Sequence, residues 1–112
     1  MTLFEKIANR EIPATIVFED EDVIAFRDIA PMAPIHVVIA PKRPIPTLND
    51  LDSSDAVLAG KLLLTAKTIA NTLGIAESGY RLVINCNRDG GQSVDHLHMH
   101  LLGGRAMEWP PG

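Results

Sequence analysis

The run Val94-Asp95-His96-Leu97-His98-Met99-His100-Leu101-Leu102 sets three histidines at every second position among apolar residues. In a β-strand, residues i, i+2 and i+4 share one face, so this spacing stands three imidazoles in a row about 7 Å apart. On a helix the same residues fan around the axis. The pattern therefore predicts a strand over 94–102. The remaining histidine, His36, also lies in an apolar run, Ile35-His36-Val37-Val38-Ile39. Imidazole titrates closest to neutrality, so such a row suits proton transfer, nucleophilic attack, phosphate binding or metal ligation.

Prolines and periodicity divide the rest of the chain. Thr2-Leu3-Phe4-Glu5 fits a capping box and predicts a short helix to about Asn9, with Leu3, Phe4 and Ile7 on one face. Thr15–Glu19 and Val23–Asp28 read as strands joined by a turn at the acidic run Glu19-Asp20-Glu21-Asp22, whose charges disfavour burial. Ile35–Ala40 is a third strand. Pro41, Pro44 and Pro46 exclude regular structure until about Thr47. From Ser54 to Leu73, apolar residues Leu58, Leu62, Ala66, Ile69 and Leu73 recur at helical spacing, and Gly74 follows as a C-terminal cap. Gly60 inside this helix costs about 1 kcal/mol relative to alanine, which points to close packing there. Tyr80–Cys86 and Val94–Leu102 complete the strands. Helix, three strands, long helix and two strands predict a single α+β domain over 1–112 with a mainly antiparallel, five-stranded sheet.

Composition narrows the function. The chain of 112 residues is 46% hydrophobic and has no apolar stretch near the roughly 20 residues of a membrane span. Its N-terminus lacks the basic and apolar regions of a secretory signal, and its single cysteine, Cys86, forms no internal disulfide. A cytoplasmic location is the expectation. The net charge is −4 and the aromatics are not interleaved with basic residues, which argues against a nucleic-acid surface. A small phosphorylated ligand needs only one or two local positive charges.

The loop Asn87-Arg88-Asp89-Gly90-Gly91-Gln92-Ser93 precedes the histidine run. Alone, its Asp-Gly makes a turn. Joined to three aligned imidazoles, its glycines let main-chain N–H groups approach an anion, with the Ser93 hydroxyl close by. His36 alone reads as a core histidine bonded to backbone; beside the row it can orient one member. Asp28, ending a strand, can accept hydrogen bonds from two vicinal sugar hydroxyls. Cys86 reads as a packed thiol. Metal ligation ranks second, because three in-line residues of one strand span about 14 Å, and a third ligand has to come from His36 or a carboxylate.

His96-Leu97-His98-Met99-His100-Leu101-Leu102 resembles the His-x-His-x-His-x-x motif of the histidine triad (HIT) superfamily. Gly90-Gly91-Gln92-Ser93-Val94, Leu102-Gly103-Gly104-Arg105, the ending Trp109-Pro110-Pro111-Gly112, and Lys6-Ile7 with Glu11-Ile12-Pro13-Ala14 resemble its Hint branch, the histidine triad nucleotide-binding proteins. The similarity runs almost end to end.

The resemblance implies a HIT-like fold, a homodimer, and hydrolysis of purine nucleoside 5′-phosphoramidates without metal or cofactor. By position, His98 is the expected nucleophile, forming a nucleotidyl-histidine that water cleaves. His100 and Ser93 are expected at the phosphate or leaving group, with Asn85, Gly91 and Gln92 nearby, and His36 and His96 supporting His98. Asp28 is expected to hold the ribose, and Leu3, Phe4, Ile7, Ile12, Phe26 and Ile29 to line the base pocket. Trp109 is expected to reach a partner subunit's site. Asp95 stands where many members carry an aromatic residue and Cys86 where an acid is common, which touches leaving-group preference more than chemistry. Two other functions share the histidine row: cleavage of dinucleoside polyphosphates or nucleotidyl transfer, and a non-catalytic nucleotide-binding regulator.

Overall fold

A computed structural model describes residues 1–112. In chain order it contains α1 (Leu3–Ala8), β1 (Ile16–Glu19), β2 (Val23–Arg27), β3 (Ile35–Pro41), two 3₁₀ turns (Leu48–Asp50 and Ser53–Asp55), α2 (Ala56–Thr72), β4 (Tyr80–Val83) and β5 (Met99–Gly103). The five strands form one sheet in the order β1-β2-β3-β5-β4, every neighbouring pair antiparallel. The α+β architecture expected from the sequence is the one observed.

The sheet carries apolar side chains on both faces. One face, with Val23, Ala25, Val37, Ile39, Met99 and Leu101, packs on Leu62, Ala66, Ile69 and Ala70 of α2. The other, with Ile24, Phe26, Val38 and Ala40, packs on Phe4 and Ile7 of α1. That double burial explains why β2 and β3 read as continuous apolar runs, while β5, half-buried at His100 and Leu102, alternates. α1 starts on the capping box foreseen at Thr2 and Glu5. α2 ends in a Schellman arrangement: Gly74, at φ +77°, donates to Asn71 O, and the Ile75 N–H donates to Ala70 O.

Several boundaries move. The long helix begins at Ala56 because Asp52 and Asp55 cap a separate 3₁₀ turn ahead of it. A Cβ added at Gly60 meets nothing within 4 Å, so no packing inside this chain explains that glycine. β4 stops at Val83 rather than Cys86, and β5 starts at Met99 rather than Val94. The β4–β5 ladder ends at the pair Val83–His100, and β5 itself one residue beyond it, at Met99. Upstream of Met99 the backbone leaves the ladder: the Leu97 N–H donates to Ile45 O at 2.6 Å and the His96 N–H to Val94 O at 2.8 Å. The single strand bearing three aligned histidines is therefore corrected. Only His100 lies in β5, and His96 and His98 belong to the irregular segment before it.

Candidate active site

A cavity of about 200 Å³ opens on the α1 side of the sheet. Its apolar end is walled by Leu3, Phe4, Ile7, Ile12 and Phe26, and its polar end by Asp28, Ser93, His98 and His100. Ile29 borders the mouth and is 97% exposed. Ten of the expected site residues thus line one cavity. Five do not: His36 and His96 are buried behind it, and Asn85, Gly91 and Gln92 lie outside its lining. The Gln92 amide holds the loop together, donating to Pro46 O and Val94 O while its oxygen accepts from the Asn87 N–H. Gly90 is required by the loop itself, since a Cβ there would stand 2.5 Å from Cys86 O, and Gly91 sits at φ +76°. Val38, Val94, Pro13, Ala14 and Arg27 also line the cavity, although the sequence assigns none of them to the site. Val38 was the most legible of them, being two residues beyond His36 on the same strand face.

Hydrogen bonds fix where each neutral imidazole carries its proton. His98 Nδ1 lies 2.7 Å from the main-chain carbonyl of His96, and a carbonyl only accepts, so Nδ1 carries the proton. Nε2 of His98 is left as the lone-pair nitrogen, with no partner in the protein. The Met32 N–H donates to His36 Nδ1 at 3.1 Å, which puts the His36 proton on Nε2. That nitrogen donates to His100 Nδ1 at 2.9 Å, so His100 carries its own proton on Nε2. The pair His36–Leu102 in the β3–β5 register makes His36 and His100 diagonal neighbours on one face, within reach of each other. Asp28 Oδ2 lies 3.5 Å from His36 Nε2, and Oδ1 accepts from the Ala30 N–H.

The remaining histidine is held differently. His96 is fully buried; its Nε2 donates to Pro41 O at 2.7 Å, and its Nδ1 accepts from the Thr2 hydroxyl at 2.7 Å. Its expected support of His98 comes through the main-chain carbonyl, not the ring. Burial, the largest influence, pushes both His96 and His100 below the ordinary histidine value; the nearby His98 and His36 push His100 the same way. Both rings are thereby kept neutral, as their hydrogen bonds require.

Asp28, His36 and His100 each bring one potential ligand atom within 4.8 Å of the others. Ligation at His36 Nε2 would need that nitrogen's proton moved to Nδ1, where the Met32 N–H already points. The donor set suits proton sharing better than a metal ion.

A sheet of this order, with one unprotonated imidazole nitrogen and one imidazole N–H at the polar end of an apolar cavity, defines a histidine triad protein. The HIT domain model matches residues 9–107, and the chain belongs to that family. It is 53% identical over 106 residues to the purine nucleoside phosphoramidase of Escherichia coli strain K12, covering 95% of this chain and 89% of that protein. It is 55% identical over 111 residues to an uncharacterized HIT-like protein of Synechococcus elongatus, covering 99% and 96% of the two. Among solved structures, a HIT family hydrolase from Legionella pneumophila superposes with a TM-score of 0.98 at 55% identity over the whole of both chains. No helix of the protein is long and apolar enough to cross a membrane.

Proposed function

We propose that the protein hydrolyses purine nucleoside 5′-phosphoramidates through a covalent intermediate on His98. The observation that carries this reading is the His98–His96 hydrogen bond, which aims a lone pair rather than an N–H into a cavity apolar at one end and polar at the other. In the first step His98 Nε2 attacks the α-phosphorus, the P–N bond of the substrate breaks, and the departing amine takes the Ser93 hydroxyl proton, which the water of the second step restores. The Ser93 hydroxyl and the His100 N–H are the donors at this end of the cavity. Water then attacks the nucleotidyl-histidine, releasing the nucleoside monophosphate and restoring the imidazole. Splitting one hard displacement into two is the gain of covalent catalysis, and the fixed donors stabilise charge on the non-bridging oxygens. Asp28 Oδ2 is available to accept from ribose hydroxyls, and the Phe4–Phe26 wall suits a flat base. The 53% identity to a purine nucleoside phosphoramidase supports the substrate class.

The test is a side-by-side assay of adenosine 5′-phosphoramidate and a dinucleoside polyphosphate, with and without exhaustive chelation. Phosphoramidate turnover that survives chelation supports the reading. Preference for the polyphosphate moves the protein to the other hydrolase class, and loss of turnover restored by zinc moves it to metal chemistry.

We also propose a homodimer, with Trp109 reaching the partner's site. Val57, Leu63 and Leu64 of α2 are exposed, as are Tyr80, Ile84 and Trp109. β4 is an unpaired edge of the sheet. Gly60 lies between Val57 and Leu64 on one helix face, where a second helix could approach closely. A two-fold contact through α2 and β4 would cover the exposed apolar residues of both elements at once.

A further inference from the structure

Thr2 makes two uses of one hydroxyl. As the N-cap of α1 it accepts the Glu5 N–H at 3.1 Å, and the Glu5 carboxylate accepts the Thr2 N–H in return at 2.9 Å. A cap needs nothing more. Yet the same oxygen lies 2.7 Å from His96 Nδ1, across 94 residues of sequence. Because His96 Nε2 donates to Pro41 O, its Nδ1 is the acceptor and Thr2 the donor. The His96 ring is thus pinned at both nitrogens in a site with no solvent access, and its residue cannot shift without breaking one bond or the other.

The carbonyl of that pinned residue is the group that holds the proton on His98 Nδ1. Two positions after Thr2, Phe4 packs its ring at 5.2 Å from the His96 ring and 4.9 Å from the His98 ring, both edge-on, while also walling the cavity. Leu3 and Ile7 of α1 wall the same apolar end. The helix that would feel an aromatic base is therefore fastened at its cap to the peptide that sets the nucleophile. We infer that Thr2 is a positioning residue: through His96 it carries occupancy of the apolar end of the cavity into the alignment of His98. Base contacts then raise kcat and do not serve affinity alone, as binding energy remote from the reacting atoms does when it is used in the transition state.

This inference rests on the phosphoramidase reading, and the experiment separates the two. Thr2→Val removes the hydroxyl and keeps the shape; Thr2→Ser keeps the hydroxyl. Each is assayed on adenosine 5′-phosphoramidate and on ribose 5-phosphoramidate, which lacks the base. Thr2→Val should lower kcat on the nucleoside substrate about tenfold, the scale of one lost hydrogen bond, with a smaller change in KM. It should leave kcat on the ribose substrate nearly unchanged, and Thr2→Ser should stay near wild type on both. Equal losses on the two substrates, or no loss on either, overturn the coupling. Wild-type protein that cleaves neither substrate overturns the phosphoramidase reading instead. In that case ¹⁵N-imidazole NMR with adenosine, which lacks the phosphate, decides the coupling. Adenosine should move the His98 Nδ1–H resonance in wild type and in Thr2→Ser but not in Thr2→Val, and identical shifts in all three overturn it.

Discussion

His98 and His96 are joined by a 2.7 Å hydrogen bond from the ring Nδ1 of the first to the main-chain carbonyl of the second. One peptide group thereby chooses which nitrogen of His98 carries the lone pair, and does so without a carboxylate. The bond fixes the orientation of the ring and, in the neutral tautomer, leaves the lone pair on Nε2, the atom that the proposed attack at phosphorus uses.

Replacing His98 with alanine should leave AMP affinity within about tenfold and lower turnover by several orders of magnitude, since a nucleophile contributes to the transition state far more than to binding. Substrate trapping followed by peptide mass spectrometry should find the nucleotide on His98. An adduct on His96 or His100 would refute the assignment.

His36 and His100 should behave as one unit. His36→Ala removes the N–H that fills His100 Nδ1 and leaves that half-buried ring free to place its proton on the wrong nitrogen. A tenfold to hundredfold fall in kcat is expected, on the scale of one misplaced hydrogen bond to a charged oxygen. In a double-mutant cycle with His100→Ala the losses should be markedly less than additive. Additive losses would show that the two rings act separately.

Stability should fall on acidification. His96 and His100 have folded values pushed below the ordinary 6.5, so the unfolded chain binds protons that the folded one refuses. Their contribution is fully present above about pH 6.5 and is lost as pH falls through the depressed folded values. Urea unfolding at pH 7.5, 6 and 5 should show a steady decline, shallower in His100→Asn. A flat profile would contradict the neutral assignment of both rings.

Gly60 tests the dimer. On a free helix face Gly60→Ala should raise stability by about 0.5–1 kcal/mol, because nothing in the chain meets the added methyl. In a dimer with closely crossing α2 helices, the same change should shift light scattering toward monomer at micromolar concentration and give no such gain. Wild-type protein that is monomeric under these conditions would sink the dimer. Unchanged kinetics after truncation beyond Arg105 would sink the role of Trp109.

Local pattern carried the sheet and the long helix because each is written in residues close together. The apolar runs of β2 and β3, the spacing from Leu58 to Ile69 and the glycine after Leu73 are all short-range signals. The segment 94–98 was misread for the same reason. Alternation of polar and apolar residues suits a strand, but the Leu97 N–H is captured by Ile45 O, 52 residues away, and no window of local sequence contains that partner. Thr2 was legible as a cap and not as a partner of His96. Nor does local sequence show that the Gln92 amide spans loop carbonyls at Pro46 and Val94. The cavity-lining residues on α1 and β2 came from resemblance, since periodicity marks an apolar side chain without saying whether it meets a core or a ligand.

β5 enters the sheet between β3 and β4, although it is the last strand in the chain. Each contact that organises the imidazoles waits on it: His36 meets His100 across 64 residues and Thr2 meets His96 across 94. Closing loops of that length is entropically costly and slow relative to forming helices or hairpins. During synthesis, α1 and the β1–β3 meander therefore emerge with a partial cavity and without His98 and His100. On the function proposed above, reactivity arrives with the closing strand and the segment just before it, so a chain stalled short of them presents no imidazole poised to take up a nucleotide.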